Sequence, residues 1–288
     1  MNYRHILISF LLAVCLSTQA KTELTQIKKY PKYSAEVTVL SDGKRLPAIF
    51  YGAQGKGPHP TIILLHGYPG NEKNLDVAQN MREAGWNVIF FHYRGAWGAE
   101  GNFSFSGSEQ DVTAVTKFLQ QPENAKKFKI NTNQISYIGH SMGGHMAVAG
   151  ILENPDVRCA VIYDGANIGV TFKNADEKIR NLWSSYADSL FMLQGWSGAV
   201  AAEELSNKGK QLDLLPRAHK IANRPILFIP ADSDVIPISE IDALVTEMRK
   251  VEGNRVHYSL IKDDHSFNNS RSQLIDVTRQ FLNANCRD

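Results

Sequence analysis

The stretch that decides the fold runs Gln134-Ile135-Ser136-Tyr137-Ile138-Gly139-His140-Ser141-Met142-Gly143-Gly144-His145-Met146-Ala147-Val148-Ala149-Gly150-Ile151-Leu152. It opens as a short apolar strand at Ile135–Ile138, turns through a G-x-S-x-G pentapeptide at 139–143, and continues as an apolar helix, Met142–Leu152. Glycine and serine are common enough that the pentapeptide alone carries little weight. Its placement between strand and helix carries the inference. A serine on so sharp a turn sits in a strained backbone conformation with its hydroxyl lifted above the sheet. Glycines two positions to either side let neighbouring chain approach closely. The first N–H groups of the new helix lack acceptors and point at any negative charge developing near the serine. No lysine follows, so the turn does not read as a phosphate-binding loop.

Working outward, the same alternation recurs. Apolar runs at Thr61–Leu65, Val88–Phe91, Cys159–Tyr163, Ile226–Ile229 and Val256–Ile261 read as strands buried on both faces. Helical stretches fall at Asn74–Ala84, Gln110–Leu119, Ser239–Lys250 and Ser270–Leu282, with Ser239 and Ser270 as N-cap candidates. Two further strand patterns, Ala35–Leu40 and Leu46–Phe50, precede them across a Ser41-Asp42-Gly43 turn. The pattern predicts an α/β fold, a mostly parallel twisted sheet flanked by helices. Residues 165–223 interrupt the rhythm: no strand is evident, and Trp183, Tyr186, Phe191, Met192 and Trp196 accompany helical stretches. This segment is expected to form a small helical cap.

The 288 residues are 43% hydrophobic and 21% charged, which excludes a disordered chain, and a net charge of +2 offers no attraction to nucleic acid. Residues 1–20 have a basic start, an apolar core at Ile6–Leu16, and Thr18 and Ala20 at the positions expected before a cleavage site. That is the layout of a signal peptide, leaving 21–288 as one domain in a secreted or periplasmic protein with no stable membrane insertion after cleavage. Cys159 and Cys286 would then be the two mature thiols. Two arrangements stay open: a disulfide, if their Cα atoms come within about 7 Å, or a buried Cys159 beside a free Cys286.

A serine nucleophile needs a base, and the base needs an orienting carboxylate. Two later strand ends offer them: Pro230-Ala231-Asp232-Ser233-Asp234 and Lys262-Asp263-Asp264-His265-Ser266-Phe267. With Leu65-His66-Gly67-Tyr68-Pro69-Gly70 and Tyr93-Arg94-Gly95 also in order, the chain resembles the α/β-hydrolase superfamily from about Thr61 to Leu282. Within it, the chain is similar to stand-alone prolyl-oligopeptidase-like or esterase-like serine hydrolases.

The resemblance implies Ser141 as nucleophile, His265 as general base, and Asp234 as the acid that orients it, with Asp232 as the alternative acid. It implies an oxyanion hole from the backbone N–H groups of Tyr68 and Met142. His92 stands where many relatives have aspartate, and is read as structural. His140 is read as packing beside the turn, and His66 as anchoring the loop of Tyr68. The histidine spacings suit no metal, and no cofactor is expected. The expected partner is a small-molecule acyl substrate, most simply a carboxylic ester. Esters are favoured because only a short lead-in precedes the domain. Cleavage of short peptides, acyl transfer and non-catalytic binding are the alternatives.

Overall fold

The structure, a computed structural model, describes residues 29–232 and 235–287. Eight strands form one sheet: β1 (Tyr33–Ser41), β2 (Lys44–Gly52), β3 (His59–Leu65), β4 (Asn87–Phe91), β5 (Ile130–His140), β6 (Cys159–Tyr163), β7 (Ile226–Ile229) and β8 (Val256–Tyr258). Their spatial order is β1-β2-β4-β3-β5-β6-β7-β8. The β1–β2 and β2–β4 pairs are antiparallel, and every other pair is parallel. The expected α/β architecture is present.

Both faces of the sheet are covered. One apolar cluster includes Val112, Val115 and Leu119 of α2 (Phe105–Gln120), Met146, Val148 and Ile151 of α4 (Met142–Glu153), and Leu244 and Met248 of α8 (Ile238–Arg249). The other includes Val77 and Met81 of α1 (Leu75–Glu83) with Leu274, Phe281 and Leu282 of α9 (Arg271–Asn285). This two-sided burial agrees with β4 and β6 being buried along their whole length.

Several boundaries differ from expectation. Helix α2 begins at Phe105, because Ser104 accepts a hydrogen bond from the Gly107 N–H and starts it a turn early. A short helix, α3 (Pro122–Phe128), follows with Pro122 in its first turn. Strand β8 ends at Tyr258, after which only Ile261 returns to the sheet, as a bridge to Ala231. Ser270 is the N-cap of α9 without a side-chain cap bond, whereas Ser239 lies inside α8. Residues 1–28, including the expected signal peptide, and Asp234 lie outside the described residues.

Between β6 and β7 the chain forms α5 (Ile168–Asn174), α6 (Glu177–Asp188), α7 (Gly198–Leu212) and a 3-10 turn at Leu215–Ile221. These helices roof the carboxyl ends of the central strands. Cys159 at the start of β6 and Cys286 just beyond α9 form a disulfide with a Cα–Cα distance of 5.9 Å. The first of the two arrangements left open by the sequence is therefore the one present.

Candidate active site

The crevice follows from strand order. β3 lies between β4 and β5, so the chain leaving β3 crosses to one side while β5 and α4 serve the other. Loops diverge at such a point and leave a gap at the carboxyl edge. The β5–α4 turn and the loop after β3 form its two lips.

On the first lip, Ser141 has φ 57° and ψ −120°, a left-handed φ that costs a non-glycine residue on the order of 1 kcal/mol. Its surroundings fix that conformation. The Ser141 N–H donates to Tyr163 O at 2.9 Å, and Ser141 O accepts from Gly144 N at 2.9 Å and Ala166 N at 3.1 Å. A side chain at Gly139 would strike the Gly143 carbonyl, and one at Gly143 would strike that of Leu65. The glycines of the motif are there for close packing of β3, β5 and α4.

On the second lip, Gly67 packs against the serine: a Cβ built on it would stand 3.0 Å from Ser141 Cβ. The buried His66 holds this loop, donating from Nδ1 to Gly67 O at 2.7 Å. Burial pulls the His66 pKa down to about 3, so the ring stays neutral. Trp97 Nε1 donates to Pro69 O at 2.8 Å and ties the loop down further. His66 thus has the anchoring part expected of it. Tyr68 follows Gly67, and Met142 opens α4, where an N–H has no intrahelical acceptor.

Arg94 of the Tyr-Arg-Gly motif is structural. Its backbone N–H and Nε donate to the fully buried Asp111 at 2.7 and 2.9 Å, and its guanidinium reaches Ser41. His145, four residues into α4, spans from Glu109 at 3.1 Å to the N–H of Ile168 at 3.3 Å and so joins α4 to the start of the roof.

His265 sits in the loop after β8. Its Nδ1 lies 2.6 Å from Asp164 Oδ2, and Asp164 is fully buried at the end of β6. The other carboxylate oxygen accepts from Ala231 N at 3.0 Å, and the Asp164 N–H donates to Ile229 O at 2.9 Å. The orienting acid expected from the sequence was Asp234, which lies outside the described residues. The alternative, Asp232, is exposed. The carboxylate that the described residues place on the imidazole is Asp164, which the sequence reading missed. The available signal was an aspartate directly after the buried strand Cys159–Tyr163, at the carboxyl edge and beside the serine strand.

The contact to Asp164 keeps a proton on His265 Nδ1 and leaves Nε2 as an acceptor. His140 supports the same loop: its Nε2 donates to His265 O at 2.7 Å, and the two rings lie 4.6 Å apart. Burial first, then the neighbouring His265, lower the His140 pKa to about 4. Asp263 and Asp264 spend their carboxylates on Ser266, Asn268 and Asn269 within the loop.

Ser141, Met142 and His265 share one cavity of about 870 Å³ beneath the roof. Aromatic side chains from both sides enclose it. Trp196 Nε1 donates to Tyr68 OH at 2.8 Å, and Phe103, Phe105, Tyr186 and Trp196 all ring Tyr68 at centroid distances of 5.8–6.3 Å. The roof is also pinned from outside the cavity. The buried Glu204 of α7 accepts from the N–H groups of Phe105 and Ser106, both at 2.9 Å, and from the Ser106 hydroxyl at 2.7 Å. A carboxylate at the N-terminus of α2 is favourably placed in the helix field.

Comparison with known proteins agrees with this fold. Residues 48–181 match the BD-FAE family model. A 2-hydroxy-6-oxononadienedioate/2-hydroxy-6-oxononatrienedioate hydrolase of Pseudomonas putida is 31% identical over 146 residues, covering 49% of this chain and 48% of that protein. Acylamino-acid-releasing enzyme 1 of Oryza sativa subsp. japonica is 31% identical over 116 residues, covering 37% of this chain and 15% of its own length. The chain thus spans less than half of these curated relatives. An esterase structure from Pyrococcus furiosus superposes with a TM-score of 0.64 at 17% identity, over 90% of this chain and 95% of that one. With its sheet order, its strand–serine–helix turn and these matches, the chain has the α/β-hydrolase fold.

Proposed function

We propose that the protein is a serine hydrolase that cleaves carboxylic esters through an acyl-enzyme. The observation that carries this reading is the shared cavity of Ser141 and His265, with the imidazole held at 2.6 Å by the buried Asp164. His265 Nε2 takes the Ser141 proton as Oγ bonds to the acyl carbon. The negative carbonyl oxygen is met by the N–H groups of Tyr68 and Met142, a contribution of about 3–4 kcal/mol per donor in comparable sites. As the tetrahedral intermediate collapses, the ester C–O bond breaks and the alkoxide leaves with the proton from His265. Water then attacks the acyl-serine, giving its proton to His265, and the acid is released as Ser141 recovers a proton. Asp164, in place of Asp234, holds the imidazole in the tautomer that these steps require.

Esters are favoured over peptides on one observation of the cavity wall. Asp213 is the one carboxylate among the described lining residues, its Oδ1 accepting from Asn167 Nδ2 and the Leu215 N–H, both at 3.0 Å, while Lys173, Arg180 and Lys210 line the same cavity and disfavour a peptide ammonium group. Amide cleavage remains the second reading, because one relative is named an acylamino-acid-releasing enzyme. Export to an oxidising compartment is part of the proposal: it rests on the leader-like residues 1–20 and is supported by the Cys159–Cys286 disulfide.

The test is hydrolysis of 4-nitrophenyl butyrate. Ser141→Ala and His265→Ala are each expected to lower kcat by about 10⁴-fold or more while leaving the fold intact by circular dichroism. Folded Ser141→Ala protein that keeps wild-type turnover would remove the assignment.

A further inference from the structure

The roof carries a group of charges that the reaction above does not use. Lys173 near the end of α5, Arg180 in the first turns of α6 and Lys210 near the end of α7 all line the cavity that contains Ser141. Arg180 is fixed in place, its Nε donating to Ala175 O at 2.9 Å and its guanidinium to Lys173 O at 3.2 Å. Carbonyls position the guanidinium without neutralising it. Among the described residues, none of the three joins an ion pair. Asp213, the one carboxylate among the described lining residues, accepts from Asn167 and Leu215 through Oδ1, so three cations face one carboxylate in the lining.

A net charge of +2 over the whole chain makes this grouping local rather than one patch of a generally basic surface. Three helices contribute one cation each, and the rest of the lining is mainly aromatic and aliphatic. An apolar cavity whose solvent-exposed rim holds unneutralised cations is complementary to an amphipathic anion. The cations are set apart from the serine: Ala166, two residues before α5 begins, donates to Ser141 O at 3.1 Å. Ile168 lines the cavity at the start of α5, and Lys173 stands five residues further on, about 7.5 Å along the helix axis.

We propose that the substrate carries a carboxylate remote from the scissile acyl bond, separated from it by an apolar spacer, and that Lys173, Arg180 and Lys210 hold it. This inference rests on the serine-hydrolase reading and names the substrate class for that same site.

The experiment measures kcat/KM for mono-4-nitrophenyl esters of hexanedioic and octanedioic acids, each against the ester whose free carboxylate is replaced by a neutral carboxamide. A second arm places the charge on the alcohol side, using the butyrate ester of 3-(4-hydroxyphenyl)propanoic acid and its carboxamide. The expected result is at least a tenfold preference for the charged member in one arm. That preference should fall toward unity in 1 M NaCl and in the Lys173→Gln/Arg180→Gln/Lys210→Gln variant. The salt arm uses wild-type protein and so stands even if the triple variant does not fold. Hydrolysis of both members with no preference in either arm overturns the inference and leaves the serine-hydrolase reading standing. A preference that survives intact in the folded variant overturns the assignment to these residues. No hydrolysis of any ester removes the underlying reading and the inference with it.

Discussion

The floor of the cavity and its roof are built on opposite terms. In α4, every residue from Met142 to Ile151 is buried, and β4 and β6 of the sheet are buried along their whole length. In α6, Ala187 is the one residue recorded as buried, and Leu182, Tyr186 and the following Phe191 are 65%, 44% and 91% exposed. Reacting groups must be held to a fraction of an ångström, so they sit where packing leaves no alternative. Recognition of the rest of a substrate tolerates more play. The roof meets that need with few buried contacts, a handful of hydrogen bonds and the aromatic contact at Tyr68.

The comparison is broken most directly at Asp164. Asp164→Asn should lower kcat on 4-nitrophenyl butyrate by about 10⁴-fold, because the amide no longer enforces the tautomer that leaves Nε2 free. Asp234→Asn should cost far less. The reverse order would move the orienting role into the loop after β7 and make part of the mechanism a property of surface chain.

Acid should act on the floor first. His66 and His140 have pKa values of about 3 and about 4 in the folded protein, below the ordinary 6.5. The unfolded chain therefore binds more protons between these limits. The stability each neutral ring confers is complete above about pH 6.5 and is lost as pH falls toward 4 and 3, at about 1.4 kcal/mol per pH unit for each ring. Urea titrations at pH 7, 5.5 and 4.5 would show it. A midpoint that falls less steeply with pH in a His66→Gln/His140→Gln background than in wild type would confirm the source, the remaining slope including that of His92, which burial lowers to about 4.

The roof should respond more gently. Glu204→Gln keeps an acceptor oxygen but replaces the other with a donor facing backbone N–H groups, at a cost of about 1–3 kcal/mol. The expected signature is a raised KM with kcat nearly constant and faster proteolysis confined to 168–212. A large fall in kcat with unchanged KM would mean that the roof positions the reacting groups too.

The parts of this division differed in how readable they were. The buried strands and the Ser141 turn were legible because continuous apolar runs and glycine spacing are local signals. The roof was legible only as an interruption of the strand–helix rhythm between Gly165 and Asn223. Asp164 was not recognised because a lone aspartate after a strand has no periodicity, and its partner His265 is 101 residues away. The convention that places the acid after a later strand drew the reading to 232–234. The early start of α2 turned on the Ser104 cap, a single hydrogen bond that hydrophobic spacing does not encode.

The Cys159–Cys286 link has a further consequence. The 127-residue separation of its cysteines encloses Asp164, all of the roof and His265, leaving Ser141 outside. A protease that cuts an exposed turn between α6 and α7 would therefore produce two pieces still fastened to each other. Roof segments are the easiest to nick, yet a nicked molecule would keep its histidine half attached to its serine half. If the protein is exported as proposed, such a molecule would lose the continuity of its backbone while both halves of the candidate site stay joined.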